Sequence, residues 1–202
     1  MNCLIDEMYE FEKCLKKSDN IKKLISYFDN KFYVLVLLRQ YERLLINLKS
    51  IDALVKIDSV EDAYTIFRKY IETYVIIMSI YENKEVVNEY MIHDSYLGFK
   101  ACGMKKDEIK YFTENKPDGF LEYGYLESIV DTSKDDFKYT IKTVCKAASL
   151  DGYYNWYRLC NNFVHNNLSS VQIDSHEGQS KLIEKCKISF NLLKKKFQLI
   201  IQ

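Results

Sequence analysis

The residues with the clearest chemical potential stand in one stretch, Tyr153-Tyr154-Asn155-Trp156-Tyr157-Arg158-Leu159-Cys160-Asn161-Asn162-Phe163-Val164-His165. Its pattern reads as a helix crowded with aromatics. On an α-helix, positions seven apart differ by only about 20° around the axis and lie about 10 Å apart along it. Arg158 and His165 therefore share a face. Asn161 and Asn162 fall between them at spacings of three and four, so both can join the same polar strip. The strip combines a fixed cation, amide donors and acceptors, and an imidazole that titrates near neutrality. Such groups can bind a phosphodiester and move a proton. A structural reading stands beside this one: Arg158 pairs with Glu72 or another buried carboxylate, and His165 caps the helix C-terminus. Tyr153, Tyr154, Trp156 and Tyr157 could stack nucleobases. Such residues more often fill a core or a dimer interface, and that is the reading preferred here.

Other chemistry finds little support. The chain has no Gly-rich phosphate loop, no His-Glu-x-x-His helix and no Gly-x-Ser-x-Gly turn. Its only histidines are His93, His165 and His176, which weighs against a metal centre built on imidazole. His93 and His176 read as incidental. The six cysteines include no Cys-x-x-Cys pair, and their wide spacing fits no zinc site. No metal and no cofactor is expected.

Arg158, six intervening residues and His165, late in the chain, resemble the motif of HEPN domains (higher eukaryotes and prokaryotes nucleotide-binding). The wider pattern around Tyr157, Arg158, Val164, His165 and Asn166 also resembles a bacterial family of uncharacterised, HEPN-like helical proteins. A second stretch adds to that likeness: Arg68-Lys69-Tyr70-Ile71-Glu72, followed by Tyr96 and Lys100. Arg68 and Glu72, four apart, suit an intrahelical ion pair. The resemblance runs from about Ser59 to the C-terminus. It implies a metal-independent endoribonuclease of toxin or phage-defence type, in which the ribose 2′-OH attacks the adjacent phosphorus. His165 would move the proton and Arg158 would stabilise charge on the phosphate, with Asn161, Asn162, Arg68 and Glu72 in support. It also implies a homodimer with two motifs facing one cleft. Those enzymes often carry a polar residue directly after the arginine; here it is Leu159, and Asn161 or Asn162 would have to substitute.

The elements that must position these residues are helical almost throughout, because apolar residues recur with the 3.6-residue period. A first helix is expected over Cys3–Lys17, stopped by Ser18-Asp19-Asn20, which also caps a short segment Ile21–Phe28. Asp29 or Asn30 then caps a long helix through Lys49, with Val34, Leu37, Leu38, Tyr41, Leu45 and Leu48 on one face. Ser59, with Asp62 three residues on, starts a helix to about Tyr81. Its apolar stripe is Phe67, Ile71, Tyr74, Val75 and Met78. Helices over Lys84–Cys102 (ended by Gly103), Met104–Glu114 and Asp135–Leu150 follow, with a loop over Asn115–Ser133. Asp151-Gly152 punctuates the chain before the Tyr153–His165 helix. A polar stretch, Asn166–Glu177, leads to a last helix over Gly178–Gln202 with Leu182, Cys186, Phe190, Leu193 and Phe197 inward. The expected fold is all-α, a single-domain antiparallel helical bundle of HEPN-like type spanning 1–202. N-terminal helices occupy 1–58 and the HEPN-like portion 59–202.

Composition narrows the partners. One proline and six glycines among 202 residues leave too few turn residues for a β-sandwich. Lys plus Arg equals Asp plus Glu, at 29 each, so no overall field draws in nucleic acid, although a local basic patch can. Lys194, Lys195 and Lys196 form one basic cluster, best read as a solvated helix face. The start of the chain has no basic region leading into an apolar one. The apolar run that contains Tyr33–Leu38 is too short to span a bilayer. Reduced core thiols, a cytoplasmic location and no membrane partner are expected. RNA, a second copy of the chain and an antitoxin or inhibitor protein are the expected partners. The alternative is a non-catalytic helical module binding a nucleotide or protein, or only a structural homodimer.

Overall fold

The computed structural model describes residues 1–82, 101–105, 107–108, 141–164 and 175–202. Seven helices lie among them: α1 (Asn2–Leu15), α2 (Ser18–Phe28), α3 (Lys31–Lys56), α4 (Val60–Glu82), α5 (Ile141–Ala147), α6 (Asp151–Val164) and α7 (Ser175–Ile201). There is no strand among the described residues, and the all-α expectation holds. The expected elements over Lys84–Cys102, Met104–Glu114 and Asn115–Ser133 lie wholly or mostly outside the described residues. So do the start of the Asp135–Leu150 helix, most of Asn166–Glu177, Tyr96, Lys100, His93 and His165.

α4 is the central element, packed against α3, α5, α6 and α7. Its sequence explains why. Up to Glu72 it is amphipathic, with Glu61, Thr65, Arg68 and Glu72 along one polar stripe. From Thr73 to Ile80 it carries no charge, and every residue there is buried. A helix apolar on all sides must be surrounded. The expected stripe of Phe67, Ile71, Tyr74, Val75 and Met78 is buried as read, and Ile76, Ile77 and Ile80 widen it to the full circumference. One hydrophobic cluster runs from Leu4 to Phe197 and takes residues from all seven helices.

Buried phenols need hydrogen-bond partners, and two of those on α4, Tyr64 and Tyr70, find them on α7. Tyr64 donates to the Gly178 carbonyl at 3.1 Å. The Tyr70 hydroxyl lies 2.8 Å from Ser189 Oγ. The three lysines of α7 divide their roles: Lys194 pairs with Glu7 at 2.5 Å, Lys196 pairs with Glu82, and Lys195 is exposed. The cluster thus includes two ties to α1 and α4, beyond the solvated face that composition implies.

Several boundaries differ from the sequence reading, each for a local reason. α3 continues seven residues past Lys49, because nothing in Ser50–Lys56 breaks a helix. Ile51 is fully buried there and Asp52 pairs with Lys56 at 2.6 Å. The chain turns at Asp58, whose φ of 60° is the left-handed conformation Asp tolerates better than most residues. Ser59 Oγ then donates to Asp62 at 2.5 Å as α4 begins. With only Ile57, Asp58 and Ser59 between them, α3 and α4 fold back on each other as antiparallel neighbours. Ser18 is already helical; Lys17 holds the cap position of α2, and Asn20 instead donates to the Cys14 carbonyl at 2.8 Å. Asp151 and Gly152 open α6 instead of separating it, and the break falls earlier, at Ser149 with φ 55°. α7 starts three residues before Gly178.

Candidate functional site

α6 presents its residues to three environments. Cys160 and Phe163 face the core, and Tyr153 and Trp156 pack beside them. Tyr153 sits 4.7 Å from Tyr74, and Trp156 meets Phe67 edge-on at 6.2 Å. These two aromatics serve the core, as the preferred sequence reading has it. Asn155, Arg158 and Leu159 are exposed. Between the two faces runs an edge of half-buried residues, Tyr154, Tyr157 and Asn161, which borders α4.

At that edge α4 supplies Arg68 and Glu72. Arg68 Nη2 donates to Tyr157 Oη at 2.5 Å and lies 3.4 Å from Glu72 Oε1. Its guanidinium also sits over the Tyr157 ring, 4.8 Å from the centroid. Tyr157 in turn stacks on Tyr154, with ring centroids 6.3 Å apart and an interplanar angle of 17°. The Arg68–Glu72 pair is the intrahelical pair that their spacing predicts. Both polar contacts use Nη2, and among the described residues the buried Nε has no hydrogen-bond partner. Burial holds the Tyr157 phenol above its ordinary value, with Glu72 reinforcing and Arg68 opposing the shift.

The strip read from the sequence is therefore partly placed. Arg158 is exposed, and among the described residues it has no carboxylate partner. Glu72, the partner considered for it, is taken by Arg68. Asn161 and Asn162 are half-buried, and Asn162 makes contacts within the fold. His165 lies outside the described residues. By helix geometry Tyr157, Asn161, Tyr154 and Arg158 follow one another within about 100° of arc. Arg68, held at Tyr157, thus flanks the same strip that carries Arg158. The contact to Tyr157, 89 positions from Arg68, was not foreseen in the sequence, and no local pattern signals it.

The fold narrows the chemistry at this edge. Cys160 is fully buried, and burial pushes its thiol up to about 12 with Arg68 opposing. It stays protonated near neutrality and is no nucleophile. All six cysteines are free, and no group of three or more metal-ligating side chains occurs among the described residues. His176 is exposed at the start of α7. No helix among the described residues is long and apolar enough to cross a membrane.

The family described as "Family of unknown function (DUF5677)" matches residues 34–181, most of the chain. The chain belongs to this family. The DUF5677 match begins within α3, ends within α7 and contains both halves of the candidate site, Arg68 and Glu72 on α4 and Tyr157 and Arg158 on α6. No curated protein and no solved structure matches the chain.

Proposed function

We propose that the chain is a metal-independent endoribonuclease of HEPN type that acts on RNA through Arg158 and His165. The observation that supports it is the state of Arg158. An arginine kept for structure is buried or paired, whereas Arg158 is exposed and without a carboxylate partner among the described residues. An exposed guanidinium on a helix otherwise packed by aromatics suits a phosphate, which it can grip with two parallel hydrogen bonds.

In the proposed reaction the His165 imidazole takes the proton of a ribose 2′-OH, and that oxygen attacks the adjacent phosphorus. The bond from phosphorus to the 5′ oxygen breaks, leaving a 2′,3′-cyclic phosphate. The departing oxygen receives the proton back from the imidazolium. Arg158 stabilises the charge that develops on the phosphoryl oxygens. Two such motifs facing one cleft require a homodimer. A toxin or phage-defence role, with an antitoxin or inhibitor partner, completes the proposal.

One observation favours a second reading. Leu159 is 39% exposed directly after Arg158, where a polar residue would help catalysis. An apolar side chain there suits a non-catalytic module that binds a nucleotide or protein partner on the same face. Expression of wild type and His165→Ala in cells separates the two. Growth arrest with RNA ends carrying cyclic phosphates, seen for wild type only and unaffected by EDTA in vitro, supports the enzyme. Equal growth and intact RNA in both strains leave the binding module.

A further inference from the structure

We infer that Arg68 is a second phosphate-binding group of this site, held in reserve by Glu72. The inference rests on the ribonuclease reading above and extends it to a strand that contacts both arginines through neighbouring phosphates.

Three observations carry it. The guanidinium of Arg68 has five donors in a planar fork, yet both of its polar contacts among the described residues use Nη2. Its Nε is buried and has no partner among the described residues. A buried donor left unmade is unfavourable, so the fold leaves this guanidinium incompletely satisfied, and an anion would meet its solvent-facing donors. Second, the carboxylate beside it is a loose partner. Glu72 stands 3.4 Å from Nη2, a distance at the far end of hydrogen bonding and unlike a two-pronged pair. Both side chains keep about 30% of their surface in solvent (28% and 31%), so an anion can reach them. Third, Tyr157 holds the guanidinium by its ring and its hydroxyl. Arg68 is thereby fixed beside the strip that carries Arg158, one residue further along α6. A single phosphate needs only one such fork. One fork at the α4–α6 edge and another on the adjoining exposed strip of α6 fit an extended polyanion, and RNA is the polyanion that the proposed chemistry requires.

Glu72 then acts as a competitor. Its carboxylate occupies Arg68 when no strand is bound and repels phosphate as a strand arrives. Removing its charge should therefore tighten RNA binding, whereas a purely structural Glu72 would weaken binding or leave it unchanged when replaced.

The test uses a short fluorescein-labelled 2′-O-methyl RNA, which has no attacking hydroxyl and stays intact. Its affinity for the full chain is measured across a salt series. Glu72→Gln should bind about two- to fivefold more tightly than wild type, the range of an exposed ion pair. Arg68→Gln should bind more weakly, with a salt dependence shallower by about 0.7, the loss of one phosphate contact on a single strand. Circular dichroism checks that each variant folds; if Arg68→Gln does not, Glu72→Gln decides alone. Unchanged or weaker binding by folded Glu72→Gln, or an unchanged salt slope in folded Arg68→Gln, overturns the inference while wild-type cleavage still upholds the ribonuclease. A wild type that neither binds nor cleaves RNA overturns both.

Discussion

Arg68 of α4 and Tyr157 of α6 are joined twice, by a hydrogen bond of 2.5 Å and by the guanidinium lying 4.8 Å from the ring centroid. The two residues are 89 positions apart in the chain. Their contact fixes the edge of α6 against α4 where the candidate site begins. Tyr157→Phe keeps the ring and removes the acceptor. It should cost about 1 kcal/mol, the scale of a part-exposed hydrogen bond to a charged group. Urea unfolding followed by circular dichroism measures it, and a variant as stable as wild type would show that the hydroxyl contributes nothing.

The two arginines should separate cleanly. Arg158→Ala removes an exposed side chain without a described carboxylate partner, so stability should change by no more than about 0.5 kcal/mol. RNA cleavage should be lost. Arg68→Ala strips Glu72 and Tyr157 of their shared partner and should destabilise by about 1–3 kcal/mol. Thermal melts of both variants decide the matter. The opposite order would mean that Arg158 holds the fold and is not free to meet a phosphate.

Phe67 supports the site from below. It is 1% exposed, stacks on Tyr70 at 5.8 Å and meets Trp156 edge-on at 6.2 Å. Phe67→Ala should cost about 3–5 kcal/mol, the usual range for emptying an aromatic site in a core. Phe67→Leu, which keeps much of the volume, should retain more of that stability. Equal stability of wild type and the alanine variant in denaturant would refute the packing described for α4 and α6.

The thiols carry an alkaline signature. Burial pushes Cys145 up to about 11 and Cys160 up to about 12, from an ordinary value of 9.0. Raised folded-state values mean that these groups stabilise the fold fully below their unfolded values. That contribution is lost as pH climbs from about 9 towards 12, where only the unfolded chain ionises freely. Melting temperature should accordingly hold through neutral pH and fall above pH 9. The Cys160→Ala variant should lose part of that slope. Alkylation of native protein should reach the exposed Cys3 and Cys102 first, and denatured, unreduced protein should yield all six.

Light scattering tests the assembly that a composite site requires. A dimer at micromolar concentration is the expected result, with aromatic and apolar surface available for it. A monomer at that concentration removes the two-motif mechanism and puts the binding module ahead.

How far the sequence carries depends on the range of the interaction. The helical class, the buried stripe of α4 and the inward face of α7 follow from apolar residues recurring at 3.6 positions. That signal is local and survives without a partner. The Arg68–Glu72 pair is legible for the same reason, since four residues on one helix are neighbours in any fold. The shared face of Arg158 and His165 is an expectation from spacing alone, because His165 lies outside the described residues.

Tertiary structure decided what those residues meet. Which arginine takes Glu72, and that Tyr157 is the acceptor for Arg68, depend on how α4 lies against α6, a relationship no local pattern encodes. The same packing leaves Arg158 exposed while it buries its neighbours Tyr157 and Cys160 to different depths. Helix ends behave similarly: α3 outruns its expected end because Ile51 is drawn into the core, and Asp58 rather than a glycine makes the turn. Periodicity specifies which residues share a face. Only the neighbouring helix determines whether that face is a wall of the core or the edge of a site.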